Sequence, residues 1–188
     1  MQLRRINVAR AKVRARVWTL MGQPPAARAA GRGIGAGVVV LDVDSTIVIA
    51  HSDKEGAAAM YKSTFGFHPI LVTCDNTKEM LAIGLRPGNA GANTAADHLQ
   101  VLADAFAQVP AAYRRHLLVR GDSAAGTHKV IGWLTEQGCK RGRVVEYSIA
   151  GLAAGWRVQG SPMSARLALW PGDRSRMSSI VGSLSMAW

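Results

Sequence analysis

The longest apolar block of the chain runs over residues 38–50, VVVLDVDSTIVIA, where only Asp42, Asp44, Ser45 and Thr46 interrupt β-branched and aliphatic side chains. A run of this kind predicts a strand buried on both faces. Side chains alternate along a strand, so Asp42, Asp44 and Thr46 fall on one side of it. Residues 4–21 repeat at helical spacing instead. Ile6, Val13, Val17 and Leu20 can share one face, with Arg4, Arg10, Lys12, Arg14 and Arg16 over much of the rest. Residues 22–37, with Pro24-Pro25 and the string GRGIGAG, have the composition of a flexible linker. That glycine run precedes a strand rather than following one, so it is not a nucleotide-binding loop.

Past residue 50 the pattern is polar and Gly-containing as far as Pro69, with no long helix. Residues 68–75 (HPILVTCD) predict a second strand and residues 78–86 (KEMLAIGLR) a third, joined by the turn Asp75-Asn76-Thr77. Asn93 or Thr94 can cap a helix that runs to about residue 108, with Leu99, Leu102 and Phe106 on one face and Pro110 beyond its end. Residues 116–120 (HLLVR) predict a fourth strand ending at Gly121-Asp122. Residues 127–137 predict a second such helix, stopped by Gly138, and residues 143–149 (RVVEYSI) a fifth strand. Short links make the first three strands an antiparallel meander; helical links make the last two parallel to the first. The expectation is an α/β chain with a mixed five-stranded sheet, in the element order of an RNase H-like fold. Strand four then lies beside strand one, and Asp122 beside Asp44. The turn with Arg86, Asn89 and Asn93 opens onto the same sheet edge. The organisation expected is a basic helix over 1–21, a linker over 22–37, an RNase H-like core over 38–150, and an irregular tail over 151–188 without periodic pattern.

Charge changes this picture only at the flanks. Residues 1–37 hold 8 basic and no acidic side chains, residues 38–150 hold 11 of each, and residues 151–188 hold 4 basic and 1 acidic. A basic flank without acids fits nucleic acid or another anionic surface, and equally a solvated face or an organelle-type leader. No apolar run approaches the ~18 residues of a membrane helix. Cys74 and Cys139 lie far apart without metal-ligand spacing and read as small buried hydrophobes. His51, His68 and His98 lack ligand spacing and read as surface or structural residues. Trp18 and Trp133 sit at apolar helical positions and read as core. His128, at a helix start after Asp122, can approach a phosphate.

Two carboxylates near the end of a buried strand point to a metal or phosphoryl site, against the blander reading of a capped turn. The string VVVLDVDSTIV resembles the first motif of haloacid dehalogenase-type phosphatases. That resemblance implies Asp42 as nucleophile, Asp44 as general acid/base, a magnesium ion, and a doubly wound parallel sheet.

A second resemblance covers far more of the chain. INVARAKVRARVW, LDVDSTIV, AHSDKEGAA, YKSTFGFHP, LRPGNAGANTAADH, LVRGDSAAGTHKVIGWLT and EYSI are similar to DDE-type bacterial insertion-sequence transposases, in particular the thirteen-eighty group. This resemblance implies DNA strand cleavage and transfer on an RNase H-like core, with acidic residues holding two Mg²⁺ or Mn²⁺ ions. Asp44 matches the first catalytic acid and Asp122 the second, with Asp42 a further metal-ligand candidate on the same strand face. Arg10, Arg14, Arg16, Lys54 and Arg86 are the candidate DNA contacts. The partners implied are transposon-end and target DNA and a second copy in a transposition complex, with no membrane, in the bacterial cytoplasm at the nucleoid. The third acid of that family lies on a helix after strand five. Glu146 falls in the strand itself and Asp173 in a Pro/Gly/Ser/Arg stretch, so the third acid is unassigned. The expectation is a fragment incomplete at its C-terminal end and inactive in cleavage, with a tail out of frame. The phosphatase and a non-catalytic DNA-binding remnant are the alternatives.

Overall fold

The computed structural model describes residues 2–29, 32–51, 54–60 and 63–149. In chain order the elements are helix α1 (Gln2–Met21), the short antiparallel pair β1 (Arg28–Ala29) and β2 (Arg32–Gly33), and strand β3 (Val39–Ser45). There follow β4 (Val48–Ile49), β5 (Ala58–Ala59), β6 (Phe65–Phe67), β7 (Ile70–Cys74) and β8 (Glu79–Gly84). Helix α2 (Ala95–Gln108), β9 (His116–Gly121), α3 (His128–Gly138) and β10 (Val144–Ile149) complete the described fold.

The main sheet has the order β10-β9-β3-β7-β8. β3, β9 and β10 are parallel, while β7 and β8 run antiparallel to their neighbours. The predicted mixed five-stranded sheet is therefore present, with the fourth predicted strand beside the first. The reason is local. Turn residues 75–78 force a hairpin between β7 and β8, whereas α2 and α3 carry the chain back so that β9 and β10 re-enter in the direction of β3. Asn76 anchors the hairpin turn to the sheet. Its buried amide accepts from Val40 N at 2.8 Å and donates to Val38 O at 2.9 Å and Pro25 O at 2.8 Å.

Alternation along β3 sorts its side chains. Val39, Leu41 and Val43 join the main core with Ile70, Val72, Leu117, Val119 and Val145 and with Val101, Leu102 and Phe106 of α2 and Val130 and Leu134 of α3. Val40 faces the other way, into a small cluster with Ala27, Val38, Ile34 and Leu118. Asp42 and Asp44 share the face of Val40.

Three features differ from the sequence reading. First, the apolar stripe of α1 is exposed: Ile6 at 53%, Val13 at 63% and Leu20 at 69%. The helix instead turns Arg14 and Trp18 inward. Trp18 packs edge-on against Tyr113 with ring centroids 5.3 Å apart, and the Tyr113 hydroxyl donates to Trp18 O at 2.9 Å. Second, the stretch after β3 builds a three-stranded sheet, β4-β6-β5. It closes around Gly66, whose φ of +157° and position 2.1 Å (from an added Cβ) to Val48 O admit no side chain. Third, the predicted linker is fixed to the body, with Ala27 buried and Arg28 N donating to Asp75 Oδ2 at 3.1 Å. Cys74 is buried as expected, but Cys139 is exposed; both are free thiols. The expectations for residues 151–188, including Asp173, lie outside the described residues.

Candidate active site

The site grows from the pairing of β3 with β9. In this parallel register Asp42 lies across from Arg120 and Val43 across from Gly121. Asp44, one residue before the end of β3 and still paired with Leu71 of β7, and Asp122, the first residue past β9, come next on the two strands at one edge of the sheet. Gly121 lets the chain turn there. A Cβ on it would come within 3.1 Å of Ala125 Cβ, so its small size seats the following helical turn, Ser123–Ala125, against the strand end. Asp122 caps that turn, its Oδ1 accepting from Ala124 N at 3.0 Å. Asp44 Oδ1 accepts from Ser45 N at 2.8 Å. Both carboxylates are exposed, and neither has a cationic partner among the described residues.

The electrostatics of Asp44 follow from this. Its surface is open to solvent by area, yet protein surrounds enough of it to strip part of its hydration. That desolvation raises its pKa above the ordinary aspartate value, the Asp122 and Asp42 carboxylates raise it further, and the Ser45 N–H opposes them. Two like charges held at one edge, with no counter-cation among the described residues, make a place where a hard divalent cation gains from both. Oxygen-only carboxylate ligands fit Mg²⁺ or Mn²⁺, which keep several waters and need few protein ligands. Among the described residues no group of three or more His, Cys, Asp or Glu is placed to hold a metal.

Asp42, on the same strand face, is engaged by a neighbouring strand. Arg120 takes it in a two-pronged ion pair, Nε to Oδ1 at 2.5 Å and Nη2 to Oδ2 at 2.7 Å. The same guanidinium reaches Asp75 Oδ1 at 3.4 Å and Arg28 O at 3.4 Å. Burial alone would lower the pKa of Arg120, but Asp42, with Asp75 behind it, raises it above its ordinary value. Burial would raise Asp75, but Lys78, Arg28 N–H and Arg120 hold it below the usual carboxylate range.

The basic candidates divide. Arg14 is inside the molecule, not on an outward face. Its Nε donates to Glu79 Oε2 at 2.8 Å, and its Nη1 donates to Gln108 O at 2.8 Å and Oε1 at 3.0 Å. Arg10 also meets Glu79, at 3.4 Å, and donates to Met80 O. Arg86 is buried as well, with Nε on His68 O at 2.9 Å and Nη1 on Gly91 O at 2.8 Å and Asp97 at 3.3 Å. It holds the loop after β8 in shape. These cations are engaged because a guanidinium enters a core only with carboxylate and carbonyl partners around it. Arg16 and Lys54 are exposed. Glu146 faces His116 Nε2 at 2.8 Å, across β10 and β9, away from the carboxylate pair in sequence register. His128 is exposed at the start of α3.

Sequence reasoning missed Arg120, Asp75 and Asn76. The signal for Arg120 was present. It stands two residues before Asp122, as Asp42 stands two before Asp44, so parallel pairing brings the members of the two pairs level.

The family described as transposase DDE domain group 1 matches residues 32–172, more than half of the chain. No curated protein and no solved structure matches it.

Proposed function

The chain belongs to the transposase DDE domain group 1 family, and from that premise we propose that its site is built for transposase-type cleavage and transfer of DNA strands, with Asp44 and Asp122 as the first two acids of the triad. The observation that carries this reading is a carboxylate pair at the ends of two adjacent parallel strands, without a cationic partner among the described residues. In this reading the sheet is the centre of an RNase H-like core, and the chain is of the thirteen-eighty insertion-sequence group. Its partners are transposon-end and target DNA, met as a homodimer at the nucleoid.

Asp44 and Asp122 would hold Mg²⁺ or Mn²⁺, which when bound neutralises phosphodiester charge and activates an attacking oxygen. The chain's own contribution is rigidity. Strand pairing and the Asp122-capped turn fix both carboxylates before any ligand arrives. A second ion needs a further carboxylate. Glu146, the acid of β10, is taken up by His116 at 2.8 Å, which supports a chain that binds ion and DNA without cutting.

The phosphatase reading is not favoured. After β3 the chain forms the β4-β6-β5 sheet and returns antiparallel as β7, where a doubly wound fold needs a crossover helix and a parallel strand. The aspartate that would act as its nucleophile, Asp42, is held by Arg120.

The test is incubation with Mg²⁺ or Mn²⁺ and DNA bearing the element's own ends, for the wild type and Asp44→Ala. The expected result is DNA binding in both and cleavage in neither. Cleavage by the wild type that disappears in Asp44→Ala would keep the transposase chemistry and overturn the inactive reading. Hydrolysis of a small phosphate monoester that depends on Asp42 would overturn the assignment.

A further inference from the structure

We propose that Arg120 is a positioning residue that withholds Asp42 from the divalent centre, so that the ion meets the Asp44–Asp122 pair alone. This rests on the reading of that pair as the ion site. Asp42 and Asp44 stand two residues apart on one strand face, and Asp122 leaves the neighbouring strand beside Asp44. By chemistry and by strand face Asp42 is a third oxygen donor, although as Arg120 holds it the three aspartates form no group placed to share a metal. Divalent cations of this class take any carboxylate they can reach, and an extra one tightens binding.

The ion pair removes that donor. Arg120 engages both oxygens of Asp42 at 2.5 and 2.7 Å, in the planar two-pronged geometry that a guanidinium offers and an ammonium does not. The guanidinium is held further by Asp75, 3.4 Å from the same Nη2, and by Arg28 O, 3.4 Å from Nη1. Asp75 is itself paired with Lys78 and receives Arg28 N at 3.1 Å. Held in this way, the guanidinium stays on Asp42 and does not swing out to neutralise Asp44 or Asp122. Two consequences follow. The ion faces a local charge of two carboxylates rather than three, which keeps it weakly held and exchangeable. The register Asp42↔Arg120 also sets how far β9 extends along β3, and therefore where Asp122 stands relative to Asp44.

The experiment is a Mn²⁺ titration of the full chain, read from the loss of the electron paramagnetic signal of the free aqua ion, with circular dichroism to verify folding of each variant. Arg120→Gln exposes Asp42 and is expected to tighten Mn²⁺ binding about fivefold, the effect of one added nearby charge on a divalent ion. Arg120→Lys keeps the charge but gives up the two-pronged hold on Asp42, and is expected to fall between wild type and Arg120→Gln. Asp42→Asn leaves an unpaired guanidinium beside the site and is expected to weaken binding by a similar factor. Asp42→Asn/Arg120→Gln removes both charges and is expected to return to wild-type affinity.

Loss of binding in both Asp42→Asn and the double variant would make Asp42 a ligand and overturn the proposal. So would unchanged affinity in a folded Arg120→Gln. Should that single variant not fold, Asp42→Asn and the double variant decide between the same outcomes. No binding by the wild type, with binding gained in Arg120→Gln, would support the withholding role while removing the native ion site. No binding in either would overturn both readings.

Discussion

Asp44, proposed above as a metal ligand, is a residue at which the fold is weakened by its own charge. Desolvation, then Asp122 and Asp42, raise its pKa. A carboxyl whose folded pKa lies above its unfolded value holds its proton more tightly in the folded state. It therefore weakens the fold as pH rises through that range, and costs nothing below it. Asp44→Asn is expected to raise Tm at pH 7 in chelator, by about 1 °C because the group is half open to screening water. The gain is expected to vanish at pH 3, where Asp44 is protonated anyway; melts at the two pH values check it. The parity that places Asp44 beside Asp122 was legible in LDVD and VRGD, because a parallel sheet preserves it. That Asp42 belongs to Arg120 was equally written there, but two aspartates in an apolar strand draw the eye to metal before ion pairs.

Helix α1 shows where pattern reading loses to tertiary partners. Its periodicity holds two stripes: an apolar one through Ile6, Val13, Val17 and Leu20, and a mixed one through Arg14 and Trp18. Among the described residues only the second finds complementary partners, in Glu79, Gln108 and Tyr113. No local signal specifies partners that lie 65 and 94 residues away. The β4-β6-β5 sheet was missed for a related reason, since strands of two or three residues have too few positions to display an alternation. The docking of α1 turns on Glu79. Burial would raise its pKa, but Arg14, by hydrogen bond and charge, and Arg10 bring it below the usual value. A depressed carboxyl stabilises above its unfolded pKa, and that contribution is lost as pH falls through its folded pKa. Trp18 fluorescence is therefore expected to report undocking at acid pH, below the ordinary glutamate range. Glu79→Ala strands a buried guanidinium and is expected to cost about 3 kcal/mol in urea unfolding. A loss below 1 kcal/mol, about the worth of a surface pair, would show that Arg14 is not held by this contact.

For the whole molecule the organising fact is an imbalance of charge against a balanced core. The main sheet, its strand order and the two helices that cover one face were readable from the order of hydrophobic blocks, because turns and helical spacers dictate strand direction. The net charge of +11 was readable too. Which cations face outward was not, because burial of Arg14 and Arg86 depends on distant partners. Only outward cations release counterions from DNA, so the structure separates them. Arg16→Gln is expected to lower the log–log salt slope of DNA binding by about 0.9, whereas substitution of Arg14 is expected to change stability and leave the slope of the remaining folded protein intact. Equal slope changes for both would contradict the burial of Arg14. Among the described residues no helix is long and apolar enough to cross a membrane, and the anionic partner that best fits this surface in a DDE transposase is DNA.

The most direct test of the central claim is crystallographic: Mn²⁺ soaked into crystals of the chain and located by its anomalous scattering. An anomalous peak between the carboxylates of Asp44 and Asp122, with Asp42 still joined to Arg120, is the predicted result. A peak coordinated by Asp42, or none at this sheet edge while ions occupy other sites, would contradict the assignment of these two aspartates as the divalent centre.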